Sequence, residues 1–250
     1  MTHKDQGTLL SGGGLHPPQV SNKKLRKKMS ITELMYEDGI ADELRNFVAD
    51  PSFPCVGAKA ALKRDQLEVI VAGDIGCPRM DRDITAVLQE FACENQPDQK
   101  IFVSQAVIFT NCRMLSETEF EARLWHRLNA IHQIDSEDFK WDPSVDSDPN
   151  SPHFSLSIGG RGFFVVGLHP GSSRQSRRFK YPTMIFNLHS QFERLRAEGR
   201  YESIRDTTIA RDTSLCGEPN PMLAVHGTGP AAAQYSGRHV DEDWKCPFHA

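Results

Sequence analysis

Two histidines bracket the part of the chain where side chains able to bind a metal or an anion are most concentrated. His169 and His189 both lie within residues 167–196, and the run 182–188 that precedes His189 is largely apolar. The same stretch holds five arginines: Arg174, Arg177, Arg178, Arg194 and Arg196. Histidine is the commonest metal-ligating side chain, and clustered arginines bind carboxylates or phosphates. The pattern predicts an anionic cofactor that could carry a metal. The alternative is two structural histidines beside a solvated basic loop.

Further candidates lie in two cysteine motifs and in one polar loop. Cys246 precedes Pro247, and such a pair can present a thiolate to heme iron, although a small buried thiol is the alternative. Cys55, in the motif FPC, has the same two interpretations. Tyr235 and Arg238 belong to QYSGR, which brings a hydroxyl and a guanidinium group into one loop, or anchors a turn by a tyrosine hydrogen bond.

Composition limits the class of protein. The chain has 250 residues and a net charge of −4, with 38% hydrophobic and 25% charged residues, as in ordinary soluble globular proteins. A negative net charge argues against general binding to nucleic acid, so the basic cluster is expected to serve one small anionic ligand. The six cysteines include no CxxC pair, which disfavours a structural zinc site, and no segment reads as a signal peptide or a membrane span. We expect a cytoplasmic protein with reduced thiols that binds neither nucleic acid nor membrane.

The elements that must position these residues alternate between helices and strands. Apolar periodicity predicts helices at 42–49, from about 55, at 81–94, at 117–133 after a capping box from Ser116 to Glu119, and at 190–198. Short apolar runs predict strands at 67–72, 101–109, 154–158, 162–168 and 182–188. Residues 135–152 are a predicted surface loop, and an irregular segment is expected from 215 onward. This order predicts a mixed α/β (α+β) single domain at 31–250, with a central mixed sheet flanked by helices, after a disordered tail at 1–30.

Seven motifs follow one another between residues 50 and 248. They are FPC at 53–55 with Ala60, HPGSSRQSRRF at 169–179, FNLHSQF at 186–192, RD at 211–212, NPML at 220–223, QYSGR at 234–238 and WKCPF at 244–248. In content and order they resemble the YqcI/YcgG family. That family includes heme-dependent N-hydroxylases that place oxygen on a guanidine nitrogen of L-arginine, or of a related guanidino amino acid, in natural-product pathways. The resemblance therefore implies a b-type heme, O2 or peroxide as oxidant, and a guanidino substrate.

The resemblance also implies roles for individual residues. The axial heme ligand would be His189, or alternatively His169 or Cys246. The partners of the heme propionates would be Arg174, Arg177 and Arg178. The residues that shape the catalytic pocket would be Tyr235, Arg238 and Asn220. The loop before QYSGR reads GTGPAAA and has no acidic residue, so a guanidinium substrate would need Asp212, Glu218 or another carboxylate as its partner.

The electron source and two alternative functions stay open at this stage. GGG at 12–14 is not followed by a helix pattern, so it is not a dinucleotide-binding fingerprint. Electrons would come from a separate donor, unless peroxide replaces them. The first alternative is a heme-binding sensor or carrier in which both His169 and His189 are ligands. The second is a non-heme protein whose arginine cluster binds an anionic metabolite. The chain could also form a homodimer.

Overall fold

The helices and strands of the chain pack around one open five-stranded sheet in the computed structural model, which describes residues 31–96, 101–222 and 229–249. The strands are β1 (Leu67–Ala72), β2 (Ser104–Phe109), β3 (Leu156–Ile158), β4 (Arg161–Leu168) and β5 (Thr183–Leu188). The helices are α1 (Ile31–Ala49), α2 (Val56–Lys63), α3 (Asp81–Glu94), α4 (Glu117–Asp135), α5 (His189–Ala197) and α6 (Tyr201–Cys216). The sheet order is β1-β2-β5-β4-β3, with β1 and β2 parallel and the other neighbours antiparallel. The predicted mixed α/β fold with a central mixed sheet is confirmed.

Local sequence signals explain most element boundaries. Strand β1 and helix α3 have the predicted limits, and α4 begins with the predicted capping box between Ser116 and Glu119. The β3–β4 hairpin turns through Gly159 and Gly160, whose φ values of 60° and 70° suit residues without a Cβ. Strand β2 starts three residues later than predicted, after Phe102 adopts the left-handed region with a φ of 65°. The predicted tail at 1–30 lies outside the described residues.

The two faces of the sheet are covered by different helices. Helices α3 and α4 pack on one face, which we call the closed face, over a cluster that includes Val107, Phe163 and Phe186. Helices α1, α2 and α5 contact the other face, which we call the cavity face, and α6 packs on α2 and α5. Successive residues of a strand point to opposite faces, so each strand contributes to both clusters. The helix α6 was absent from the sequence prediction.

The described ranges contain no helix that is long and apolar enough to cross a membrane. All six cysteines are free thiols.

A buried ion pair fixes the helices of the closed face. The Arg127 side chain has no exposed surface, and it pairs with Asp81, whose side chain is 9% exposed. The same guanidinium donates to the Ile75 carbonyl oxygen, at 3.2 Å from Nε and 2.8 Å from Nη2. It therefore joins α4 to the first turn of α3 and to the loop after β1.

Replacing Asp81 by Asn will leave the Arg127 guanidinium buried without its counter-charge. We expect the free energy of unfolding, measured by urea denaturation, to fall by about 3 kcal/mol, because an unpaired buried charge is strongly destabilising. Asp83→Asn is the matched control, since Asp83 also lies in the first turn of α3. Equal losses in the two variants would attribute the effect to the helix N-terminus and contradict the role of the ion pair.

Candidate functional site

A cavity of about 330 Å³ lies on the cavity face of the sheet. Its volume is within the range of about 300–1,000 Å³ that is usual for small-molecule and cofactor sites. The strands contribute its floor: Ser104, Phe164, Val166, Leu168, Ile185 and Asn187. Helices α2, α5 and α6 contribute most of its walls, together with the loop around Phe53 and Cys55. The cavity is therefore an apolar slot built on a rigid sheet.

His189 lies in the wall of this cavity as the first residue of α5, directly after β5 ends. Its side chain is 15% exposed. Its Nδ1 is 2.9 Å from the Ser155 hydroxyl, and its Nε2 is 3.1 Å from a carboxylate oxygen of Glu193. Burial lowers the pKa of His189, the carboxylate of Glu193 opposing this shift. Both ring nitrogens of His189 therefore have a partner, and a neutral imidazole could bind a metal only through a nitrogen that its partner releases.

His169 belongs to the opposite, closed face. Its ring stacks on Phe120 with centroids 4.3 Å apart, and the residue is 1% exposed. Burial lowers its pKa to about 4, and its Nδ1 has no hydrogen-bond partner in the described part of the chain. The structure does not place His169 on the cavity or beside His189. The sequence-based interpretation of His169 as an axial ligand is therefore replaced by a core position stacked on α4.

Tyr235 and Cys246 also lie on the closed face. The fully buried Tyr235 stacks on Trp125 at 5.5 Å, and its hydroxyl donates to the Phe163 carbonyl at 2.9 Å. Cys246 packs against the same cluster, and burial raises the pKa of its thiol to about 12. The motifs QYSGR and WKCPF thus dock the C-terminal segment on the core. We correct both expectations: Tyr235 is not a pocket residue, and Cys246 is a protonated thiol away from the cavity.

Arg238 and Asn220, the two other residues expected in the pocket, have different positions. Arg238 donates through Nε and Nη2 to one oxygen of Glu121, at 2.9 and 2.6 Å, and it does not line the cavity. Asn220 does line the cavity, and its side-chain oxygen accepts a hydrogen bond from the Met222 amide at 3.0 Å. Of the three predicted pocket residues, only Asn220 keeps that position.

Of the three arginines predicted to bind propionates, only Arg177 lines the cavity. It donates to the carbonyl oxygens of Gly167 at 2.9 Å and Gln234 at 3.3 Å. Arg174 forms a buried ion pair with Asp212 and faces a smaller neighbouring pocket. Arg178 donates to the carbonyls of Ser172 and Ser173 at the surface. The sequence cluster therefore separates into three different environments, and Arg174 and Arg178 do not reach the cavity.

Several cavity residues were missed by sequence reasoning. The Ser104 hydroxyl donates to the side-chain oxygen of Asn187 at 2.7 Å, which places a polar pair in an otherwise apolar floor. Phe102 lines the cavity with the left-handed φ noted above, a rare conformation for a bulky residue that stores local strain. A third group is the stripe of α6 that faces the cavity: Tyr201, Ile204, Arg205, Thr208, Ile209 and Asp212. Its spacing is helical, but it mixes apolar with polar and charged side chains, so apolar periodicity gives no clear signal for it.

The model of the YqcI/YcgG family matches residues 44–249 of this chain. No curated protein and no solved structure matches this chain.

The buried neutral His169 makes stability depend on pH. Its pKa is about 4 in the folded protein and ordinarily about 6.5, so the unfolded chain binds more protons between these values. The free energy of unfolding should therefore decrease as the pH falls from 6.5 to 4. His169→Phe keeps a flat ring against Phe120 but has no group that titrates in this range. In urea denaturation at a series of pH values between 6.5 and 4, its free energy of unfolding should therefore decrease less than that of the wild type. His126→Phe, on the exposed side of α4, is the control. Parallel pH curves for His169→Phe and wild type would contradict the assignment.

Proposed function

The chain belongs to the YqcI/YcgG family, and from this we propose that it is a heme-dependent N-hydroxylase of L-arginine or a related guanidino compound. The observation that carries the proposal is His189, an imidazole in the wall of an apolar cavity of cofactor size. Family membership supports the proposed reaction class, and the size and lining of the cavity are compatible with it. We further propose that the protein acts in the cytoplasm, in natural-product biosynthesis.

The residues of the cavity fit a heme. Its lining includes five phenylalanines that suit a flat apolar ring system: Phe53, Phe102, Phe154, Phe164 and Phe192. Ser155 would hold Nδ1 of His189, and Nε2 would bind the metal in place of its present partner Glu193, which also pairs with Arg196. In the described ranges no three His, Cys, Asp or Glu side chains converge to hold a metal ion. Heme needs no such group, because one axial side chain suffices.

The bound heme would supply the activation of O2 or peroxide, with electrons from a separate donor when O2 is used. The chain's own residues would bind the substrate and exclude water. Asn187 lies two residues before His189 on the same side of β5, and it pairs with Ser104 of β2. These neutral side chains would accept hydrogen bonds from guanidine nitrogens. Asp212 is the acidic side chain among the described lining residues, and its charge is shared with Arg174. The apolar floor would shield the oxidant from bulk water.

Heme binding tests the first half of the proposal. The protein produced with heme supply should show a Soret band, and His189→Ala should lose it because the axial nitrogen is removed. His169→Ala should keep the band, since His169 lies on the closed face. A Soret band that survives in His189→Ala but disappears in His169→Ala would contradict the assignment. The absence of a band from wild type would leave the non-heme anion-binding alternative.

Product analysis tests the second half. With peroxide, or with O2 and a reductant, mass spectrometry should show one added oxygen atom on L-arginine or a related guanidino compound. Asn187→Leu should lower kcat/KM roughly 10- to 100-fold, the effect of losing one or two hydrogen bonds to the substrate. Asn129→Leu is the matched control, because Asn129 bonds to the Pro247 carbonyl on the other side of the molecule. A normal Soret band without any oxygenated guanidino product would contradict the hydroxylase and favour a heme sensor or carrier.

A further inference from the structure

The arginines in and beside the cavity differ in how their charge is neutralised. Three of them have a carboxylate partner of their own: Arg174 with Asp212, Arg196 with Glu193, and Arg205 with Asp206. The fourth, Arg177, makes its hydrogen bonds to the backbone carbonyls of Gly167 and Gln234. Among the residues that the structure describes, no carboxylate lies within ion-pair distance of Arg177. Its charge is felt by Asp212, which is already paired with Arg174.

The Arg177 side chain is half-buried, and two backbone carbonyls accept its hydrogen bonds. Burial lowers its pKa to about 10, so it keeps its charge at neutral pH. Gly237 has a φ of 80°, and a Cβ there would be in ordinary contact with Arg177 Cγ and Nη1 at 3.4 Å. A partly desolvated charge without a counter-charge is costly, and binding an anion relieves that cost. Arg177 lines the cavity, so an anion bound in the cavity can reach it.

The position of Arg177 defines the direction in which a ligand would lie. His189 lies beside Gly162 near the start of β4, because a Cβ added to Gly162 would be 3.3 Å from the Cβ of His189. Arg177 donates to the carbonyl oxygen of Gly167 near the end of the same strand. Five residues of β4 separate these two contacts, or roughly 17 Å along the strand. Phe164 and Val166 line the floor between them. The cavity therefore has an imidazole near one end, an unneutralised cation near the other and apolar surface between.

We propose that Arg177 is the carboxylate receptor of this cavity. It would bind the carboxylate of a ligand that extends from Arg177 along β4 in the direction of His189. Arg174 acts as a positioning residue, because its pairing with Asp212 keeps that carboxylate from neutralising Arg177. The identity of the ligand rests on the proposed function, and two molecules could bring this group. One is the heme, through a propionate, and the other is the amino-acid substrate, through its α-carboxylate.

Paired ligands that differ only in the carboxylate test the proposal. Heme is compared with its dimethyl ester by Soret titration, and L-arginine with agmatine by calorimetry on the protein as purified. Wild type should prefer the carboxylate roughly 10- to 100-fold in one pair, which identifies the source. Arg177→Gln should lose that preference, because its amide can still donate to the carbonyls but carries no charge. Arg178→Gln, in the same loop but away from the cavity, should keep it.

Two results would overturn the role of Arg177 as carboxylate receptor, even where the Soret band and hydroxylation are intact. Wild type would show no preference for the carboxylate form in either pair, or Arg177→Gln would keep the wild-type preference. No Soret band with a preference for L-arginine that depends on Arg177 would defeat the heme proposal and support the receptor. If Arg177→Gln does not fold, Arg177→Lys replaces it. Lysine keeps the charge but cannot bind a carboxylate through two parallel hydrogen bonds, so the preference should fall several-fold. An undiminished preference in the folded lysine variant would overturn the inference.

Discussion

The antiparallel pairing of β4 with β5 is the constraint on which the site depends. Phe164 lies opposite Asn187 in this ladder, and Val166 lies opposite Ile185. Because side chains alternate along a strand, this register sends these four side chains to the cavity face and their neighbours to the closed face. A slip of one residue would exchange the two sets. His189 follows β5 without an intervening loop, so the same register also determines that its side chain lies on the cavity face.

The two faces of the sheet then meet different physical requirements. The closed face is packed with aromatic rings, and its buried Arg127 pairs with Asp81 and donates to the Ile75 carbonyl. His169 and Tyr235 stack on rings of this face, and the Tyr235 hydroxyl donates to the Phe163 carbonyl, so both side chains are part of the packing. The cavity face is incompletely filled. Of the arginines that line the cavity, Arg196 and Arg205 each pair with a carboxylate, whereas Arg177 has no such partner among the described residues.

Sequence reasoning located elements whose signals are local. The branched run of β1, the amphipathic face of α3 and the capping box of α4 each lie within a few residues, and each was predicted correctly. The helix α6 was missed because the stripe that it buries lines a cavity and mixes Ile204 with Arg205 and Asp212. Such a stripe has helical spacing without uniform hydrophobicity, so apolar periodicity does not detect it.

The candidate site was predicted only in part, for a related reason. His169 and His189 both end apolar strands, and nothing in either segment shows which face its histidine occupies. That information is in the β4–β5 register, a contact between segments about twenty residues apart, and a residue count cannot supply it. The arginines of residues 174–178 present the same difficulty, because a tight turn directs adjacent side chains to an ion pair, a cavity and the surface. Proximity in sequence indicated a basic cluster, whereas in the structure only Arg177 of these three arginines lines the cavity.

The electrostatics of the cavity also restrict how a guanidino substrate could bind. The end near Arg177 contains two guanidinium groups and one carboxylate, Asp212, so it carries a net positive charge. A third guanidinium placed there would be repelled, and it would compete with Arg174 for the same oxygen atoms. The neutral Ser104–Asn187 pair lies at the other end, beside His189, and imposes no such repulsion. A zwitterionic guanidino acid would therefore enter with its carboxylate toward Arg177 and its guanidine toward His189. This orientation follows from the positions of Arg177 and Arg174 alone.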